Sequence, residues 1–295
     1  MNWRNFLLIG LFLITSNSFS QINLLNAKDP DEIGVKTQEQ IDADNDHPLE
    51  YGYVDTRDVL WAKMTWERIV LDERVNFPLY YPIDTSFVGQ ERRSLYDVIM
   101  KSLKKGDIEK VYADSYFTEE RTLEDLEASL KKVDTLDAGY EQLNAGEELS
   151  DEYIETRILN AADVAEFRIK GYWYFDKRQG ELKYRLIALC PVAPDVNFID
   201  SETPDLVELF WIFYPDVREV LNSWKSFNNK NSANPISFDH LLNSRRFSGV
   251  IYKEENVYQD RLVNEYINEN ALMQLLESDR IREKIRDFEM DQWNY

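Results

Sequence analysis

The sequence predicts an α+β fold: an antiparallel-leaning sheet with surrounding helices, preceded by a disordered acidic arm. Residues 167–191 hold two runs of alternating apolar and charged residues separated by a turn, which is typical of a β-hairpin. Apolar residues recur at helical spacing after Ser94 and after Thr122. Residues 21–50 carry eight acidic residues, two lysines and no aromatic residue, so this arm has too little apolar surface to fold.

The first 20 residues have the pattern of a secretory signal peptide. Arg4 precedes the apolar run 6–14, and small residues follow this run at Ser18 and Ser20. The run is well short of the roughly 20 residues that a membrane-spanning helix needs. We therefore expect cleavage between Ser20 and Gln21, followed by export of the remaining chain. No cysteine lies near that cut to accept a lipid.

Charge and cysteine content limit the functions that are open to this chain. The formal net charge of -21 disfavours nucleic acid and anionic lipid headgroups as partners. No later apolar run is long enough to span a bilayer, so we expect no direct membrane insertion. The single cysteine, Cys190, cannot form an intrachain disulfide, and its apolar neighbours predict a buried thiol. A disulfide between two chains is the alternative.

The folded part is predicted to run from residue 51 to 295 as one α+β domain, with an acidic excursion at about 134–155. Its first segment, 59–70, fits two patterns. Val59, Ala62, Trp66, Ile69 and Val70 share a helical face, whereas Leu60, Ala62, Met64 and Trp66 alternate as in a strand. On the length of the segment we favour a helix that ends before Pro78, with residues 78–82 as an extended connector.

Two helices are predicted next. Ser94 is placed to cap the first, in which Leu95, Val98, Ile99 and Leu103 recur, and Gly106 can end it in the left-handed conformation. Thr122 begins the second, with Leu123, Leu126 and Leu130 on one side. Acidic residues occupy its first turn and Lys131 and Lys132 its last turn, as the helix dipole favours.

The second half adds strands and helices around the hairpin. The apolar run 205–215 around Trp211 predicts a central strand. Pro215 is placed to begin a helix, residues 228–235 form a loop, Ser237 caps a short helix, and residues 247–255 form a strand.

The segment 270–293 predicts one long terminal helix whose apolar phase changes midway. Leu272, Leu275 and Leu276 point to one side, and Ile281, Ile285 and Phe288 point nearly to the opposite side. Either a break near Ser278 turns the helix onto a single core, which we favour, or one continuous rod contacts two different surfaces.

The first strand of the hairpin has two contrasting faces. One face carries Phe167, Ile169, Trp173 and Phe175 and is expected to be buried. The other face is basic with two tyrosines, and it is either a contact for an acidic partner or the solvated side of a core sheet. The candidate partner-binding residues are Arg168, Lys170, Tyr172, Tyr174, Lys183 and Arg185.

No motif predicts a catalytic residue, a metal site or a cofactor. The two histidines, His47 and His240, lie far apart, and no H-E-x-x-H, G-x-S-x-G or phosphate-binding glycine loop is present. The stretch 42–46, "DADND", has the spacing that opens a calcium loop but lacks the glycine and the bidentate glutamate that such a loop needs. With 55 acidic residues, folding could always bring together a carboxylate pair suited to glycoside hydrolysis, so such a pair would not indicate an enzyme.

The order of several segments resembles one known family. These segments are "LWAKMTWERIVLDERVNFPLYYP", "SLYDVIMKSLKKGDIEKVY", "IKGYWYFDKRQGELKYRLIALCPVAP", "ELFWIFYPDVREVLN" and "FDHLLNSRRFSGVIYKEE". Together they resemble the GldN/PorN family of gliding-motility proteins, over essentially the whole chain after the signal peptide.

This resemblance implies a non-enzymatic, periplasmic component of the type IX secretion system of Bacteroidetes, required for protein secretion and gliding. It implies self-association within a ring, together with a GldK/PorK-like outer-membrane lipoprotein, and contact with the GldM/PorM-like periplasmic motor shaft. The family brings no catalytic residues and no cofactor. The alternatives are an extracytoplasmic peptide- or glycan-binding module around Trp173 and Trp211, and, less favoured, a hydrolase built on an acidic pair.

Overall fold

The predicted hairpin forms the centre of an antiparallel sheet. Our structure is a computed structural model, which describes residues 29, 47–86, 92–146, 150–199, 201, 204–228, 235–268 and 270–293. Strands β6 (Glu166–Asp176) and β7 (Glu181–Pro194) pair along their lengths. On the far side of β6 lies β1 (Val59–Val70), and β12 (Val250–Glu254) pairs with β1. The predicted α+β fold with an antiparallel sheet is confirmed.

Short strands and helices complete the unit Pro48–Tyr295, to which all the elements described here belong. Strands β8 (Leu206–Glu208) and β9 (Ile212–Phe213) both pair with β7. Three two-stranded sheets pair β2 (Val111–Tyr112) with β3 (Glu120–Arg121), β4 (Lys131–Thr135) with β5 (Ile154–Ile158), and β10 (Lys225–Ser226) with β11 (Ile236–Ser237). The helices are α1 (Phe77–Tyr80), α2 (Leu95–Lys105), α3 (Leu123–Leu130), α4 (Asp137–Asn144), α5 (Tyr214–Ser223), α6 (Phe238–Asn243), α7 (Val263–Tyr266) and α8 (Ala271–Trp293).

The segment 59–70 is a strand, so our preference for a helix was wrong. β1 lies between β6 and β12, and this pairing satisfies its backbone on both edges. Trp66 and Ile69 point to opposite faces of the sheet and are 2% and 0% exposed. Because elements cover both faces here, the aromatic and β-branched residues of β1 are better buried in a strand than in a one-sided helix.

Three further expectations needed correction. Helix α3 ends at Leu130, and Lys131 and Lys132 continue into β4 because they pair with β5. The run around Trp211 does not form a central strand: it makes the short β8 and β9 beside β7, and the Trp211 backbone pairs with Tyr112 instead. Residues 77–80 form one helical turn rather than an extended connector.

The predicted helix caps are confirmed. The Ser94 hydroxyl accepts a hydrogen bond from the Asp97 amide at the start of α2, and Gly106 ends this helix with a φ of 84°. The Thr122 hydroxyl caps α3, and Pro215 lies in the first turn of α5. The Ser237 hydroxyl accepts from the His240 amide and begins α6. Local sequence therefore determines where these helices begin.

Helix α8 is continuous over 23 residues, so the predicted break near Ser278 is absent. The Ser278 hydroxyl instead accepts a hydrogen bond from the Ile251 amide of β12. Ile281 and Ile285 are 1% and 4% exposed, and they pack with Ile251 and Val263. The Phe288 ring stacks on Trp61 at 4.8 Å between ring centroids. The helix is therefore one continuous rod, as the second option requires, whereas contact of its Leu272 side with another surface stays a prediction.

Some predictions lie outside the described residues. These are the signal peptide with its cleavage between Ser20 and Gln21, most of the acidic arm, the "DADND" stretch at 42–46 and the middle of the loop 228–235. The domain limits 51–295 and the acidic excursion at 134–155 stay predictions. Within that excursion the described residues include α4 and parts of β4 and β5.

Candidate functional site

The two faces of the hairpin separate as the alternation predicts. Phe167 and Ile169 are fully buried on the face that carries α2, α5 and α6, which we call the core face. Arg168, Lys170, Tyr172 and Tyr174 alternate with them on the opposite face, which we call the basic face. Lys183 pairs with Tyr174 and Arg185 pairs with Tyr172, so all six candidate residues share this face.

The basic face is covered at one end by a second, smaller core. This core contains Trp66, Cys190, Val192 and Trp211, all at most 2% exposed. The expected buried thiol of Cys190 is confirmed, and burial raises its pKa well above the ordinary value. Because the Trp211 ring is enclosed, it offers no stacking surface for a glycan in this structure.

Lys170 is enclosed by aromatic rings. Its ammonium lies 4.4 Å from the ring centroid of Tyr116, 5.1 Å from that of Trp66 and 5.8 Å from that of Phe117. It donates a hydrogen bond of 2.8 Å to the Ser115 carbonyl, and the residue is only 6% exposed. Cation–π attraction and one hydrogen bond therefore replace the water that a lysine normally keeps.

Lys253 contacts two of the same rings, those of Trp66 and Tyr116. Its ammonium is 4.5 Å from the Trp66 ring and donates a hydrogen bond of 2.9 Å to the Tyr116 hydroxyl. Burial, followed by repulsion from Lys253, lowers the pKa of Lys170. Lys253 lies in a predicted strand, but its contact with Lys170 could not be predicted, because only the pairing of β1 with both β12 and β6 brings the two lysines together.

Arg168 is paired within the sheet. Its guanidinium donates to Glu166 at 3.0 Å and to Glu208 at 2.6 Å. Glu208 also accepts a hydrogen bond of 2.7 Å from the Trp211 indole. Burial alone would lower the pKa of Arg168, but the hydrogen bonds that its guanidinium donates to Glu208 and Glu166 outweigh this effect and raise that pKa.

The remaining candidates surround the start of the folded unit. Arg185 donates a hydrogen bond of 3.0 Å to the Gly52 carbonyl, and its guanidinium lies 4.6 Å from the Tyr51 ring centroid. Tyr174 is 6% exposed, and Lys183 lies 3.8 Å from the Asp176 carboxylate. Tyr172 stacks on Tyr174 with ring centroids 6.2 Å apart.

Four of the six candidate residues line one or the other of two open cavities. One, of about 260 Å³, is lined by Tyr174, Lys183, Arg185 and the segment 50–54. The other, of about 310 Å³, lies beside Arg168, Lys253 and Gln274. Lys170 lines neither cavity. The partner-binding role of the six residues stays a prediction, and the charges of Arg168 and Lys170 have intramolecular contacts that explain them.

The described part of the chain shows no cluster of histidine, cysteine, aspartate or glutamate side chains that could hold a metal ion. Among the same residues, no helix has the length and apolar character that crossing a bilayer requires.

Comparison with known proteins identifies the family. A comparison with curated proteins finds no significant match. The family model described as "Gliding motility associated protein GldN" matches residues 54–294, which is nearly the whole unit that contains the sheet and its helices. The resemblance seen in the sequence is thereby confirmed. Because the match covers most of the chain, the protein belongs to the GldN family of gliding-motility-associated proteins.

Proposed function

We propose that this chain is a non-enzymatic scaffold of the periplasm, within the type IX secretion and gliding machinery. The observation that carries the proposal is the family match over residues 54–294. In this role the chain forms a ring with a GldK/PorK-like outer-membrane lipoprotein and connects that ring to the GldM/PorM-like shaft. The lipoprotein holds it at the outer membrane, and the signal-peptide pattern of residues 1–20 supports export.

The fold suits a load-bearing subunit. The long strands β1, β6 and β7 pair side by side, and elements pack on both faces of their sheet. Ion pairs with a buried carboxylate connect different elements, such as Arg245 with Glu67 and Arg218 with Asp239. Such pairs are geometrically demanding, and they favour one arrangement of the connected elements.

A deletion strain tests this proposal. We expect deletion of the gene to abolish secretion and gliding, and the complemented strain to yield crosslinks from this chain to the lipoprotein, to the shaft protein and to other copies of itself. Crosslinking with mass spectrometry in intact cells provides the readout. Normal secretion in the deletion strain, with the protein recovered as a free monomer, would contradict the proposal.

The alternative, a peptide- or glycan-binding module, makes a different prediction. It requires saturable binding of a small glycan or peptide that persists in cells lacking the secretion machinery. Trp173 lies against the Tyr184 ring at 4.8 Å, and Trp211 is 1% exposed. Neither indole is a freely presented platform, so the structure favours the scaffold.

A further inference from the structure

The N-terminal half of α8 exposes an apolar surface. Leu272, Met273, Leu275 and Leu276 are 65%, 46%, 42% and 52% exposed. At 3.6 residues per turn, Leu272, Leu275 and Leu276 lie on the side of the helix opposite Ile281 and Ile285. We call these four residues the α8 apolar face. Four adjacent large apolar side chains open to solvent mark an interaction site more often than a solvated surface.

The C-terminal half of α8 holds the rod in place, so this exposure does not come from a detached helix. Ile281 and Ile285 are buried, Phe288 stacks on Trp61, and Ser278 accepts from the Ile251 amide. At the start of α8, the Gln274 amide donates to the Ile267 carbonyl at 3.0 Å. The apolar face is therefore presented on a rigid element, which lowers the entropic cost of docking.

Charge around this face indicates the chemistry of its occupant. The segment 254–279 contains seven acidic residues and one base, Arg261. Three bases from outside the segment pair with these acids: Lys63 with Glu254, Arg280 with Glu277, and Arg282 with Asp279. Even with these three bases counted, acids exceed bases by seven to four.

Arg261 does not extend toward the apolar face as a free cation. Its guanidinium lies between two rings, 5.0 Å from the centroid of Tyr258 and 4.5 Å from that of Tyr266. The Tyr266 hydroxyl in turn donates to Glu277 on α8 at 3.1 Å. The surroundings of the face are thus negative on balance, and the one base of the segment is held by aromatic contacts.

We propose that the α8 apolar face docks an amphipathic segment of another protein, with an apolar stripe flanked by lysine or arginine. Helix-in-groove recognition uses anchors at this spacing, and complementary charge directs the encounter. A second copy of this chain is a poor occupant, because it would bring the same acidic surroundings and a net charge of -21. The proposal deepens the scaffold role and rests on it for the identity of the partner in cells.

A pair of designed peptides tests the chemistry without knowledge of the natural partner. The probes are two fluorescein-labelled helical peptides with the same leucine stripe, one flanked by lysines and one by glutamates. We expect the purified full chain to bind the lysine peptide saturably, as measured by fluorescence anisotropy. The double variant Leu272→Gln/Leu276→Gln should weaken this binding at least tenfold.

Matched variants separate docking from general attraction to an acidic protein. Met290 and Trp293 lie near the other end of α8 and are 56% and 70% exposed. Met290→Gln/Trp293→Gln should leave binding within twofold of the wild type. Leu275→Arg adds a base to the face, so it should weaken the lysine peptide and strengthen the glutamate peptide. Circular dichroism checks that each variant is folded.

Four results would overturn the proposal. The first three are no binding of the lysine peptide, equal binding of it by every variant, and binding of the glutamate peptide as tight as that of the lysine peptide. The fourth is that Leu272→Gln/Leu276→Gln loses self-association and changes in no other way. The last result would assign the face to a second copy. In cells, normal secretion after gene deletion contradicts the scaffold role. Unchanged crosslinks from Leu272→Gln/Leu276→Gln contradict only the docking face.

Discussion

The Arg245 guanidinium donates a 2.7 Å hydrogen bond to the Glu67 carboxylate, which lies on the core face of the central strand β1. Glu67 is 1% exposed, and the Arg245 guanidinium also lies 4.3 Å from the Tyr184 ring centroid and 5.1 Å from that of Trp173. Burial alone would lower the pKa of Arg245, but Glu67 raises it. This pair connects the loop after α6 to the middle of the sheet.

Glu67→Gln keeps the shape of the side chain but leaves the Arg245 cation without its carboxylate. Removing one partner of a buried pair costs about 3 to 5 kcal/mol, so we expect a loss of about that size in the free energy of unfolding. Urea titration followed by circular dichroism measures it. Glu283→Gln, at a pair with Arg286 in which both side chains are more than 60% exposed, is the control, with a change of about 0.5 kcal/mol or less. A Glu67→Gln midpoint equal to that of the control would show that the pair is not stabilising.

Gly171 lies beneath the Tyr184 ring. A Cβ added at Gly171 would come within 2.0 Å of the Tyr184 hydroxyl oxygen and 2.2 Å of two ring carbons. We expect Gly171→Ala to cost about 1 to 3 kcal/mol of stability, because the ring must move within a packed face. Gly52→Ala, where no atom lies within 4 Å, should leave the thermal midpoint nearly unchanged. Equal midpoints for the two variants would contradict this packing.

The lowered pKa of Lys170 predicts a pH dependence. At pH values below the pKa of Lys170 in the folded protein, the buried ammonium is charged and carries its full desolvation penalty. Between that pKa and the pKa of about 10.4 in the unfolded chain, the unfolded state binds more protons than the folded state. The contribution of Lys170 to stability should therefore rise with pH in this alkaline range. We therefore expect the unfolding free energy of the wild type, relative to that of Lys170→Met, to increase from pH 7 to pH 10. A flat difference would contradict it, and Lys110→Met, at an exposed pair with Glu120, controls for the loss of one charge.

The partner-binding prediction for the basic face needs a variant that still folds. Lys170 is buried, so reversal of its charge would disturb the core rather than test docking. Lys183→Glu/Arg185→Glu changes the charge at the edge of the 260 Å³ cavity instead. If this face contacts an acidic partner, crosslinks to that partner in cells should fall at least tenfold while the thermal midpoint changes little. Unchanged crosslinks and secretion would show that Lys183 and Arg185 do not contact an acidic partner.

Cys190 should be unreactive in the folded protein. Its side chain is fully buried, and burial raises its pKa, so thiolate is scarce at neutral pH. We expect Ellman's reagent to find no reactive thiol until urea unfolds the chain. Ser86→Cys, at an exposed position, should react with one equivalent at once. Prompt labelling of the wild-type thiol would contradict the buried assignment.

Local signals predicted much of this fold. Ser94, Thr122 and Ser237 cap helices where their hydroxyl groups predicted them, because capping depends on residues only three positions apart. The two faces of β6 also followed from alternation alone. The strand β1 was missed because a short apolar run fits both periods, and only its pairing with β6 and β12 decides between them.

For the basic face too, one part was predictable from local sequence and another part was not. Alternation along the sequence is enough to place Arg168, Lys170, Tyr172 and Tyr174 on one side of a strand, since side chains alternate with a period of two. The enclosure of Lys170 by rings from the segment 115–117 and from β1 depends on the folded chain, because those contacts join residues about 50 and 100 positions apart. For α8, the helical period of the sequence predicts two opposed apolar sides, and the packing against β12 and Trp61 fixes which side is buried and which is left exposed.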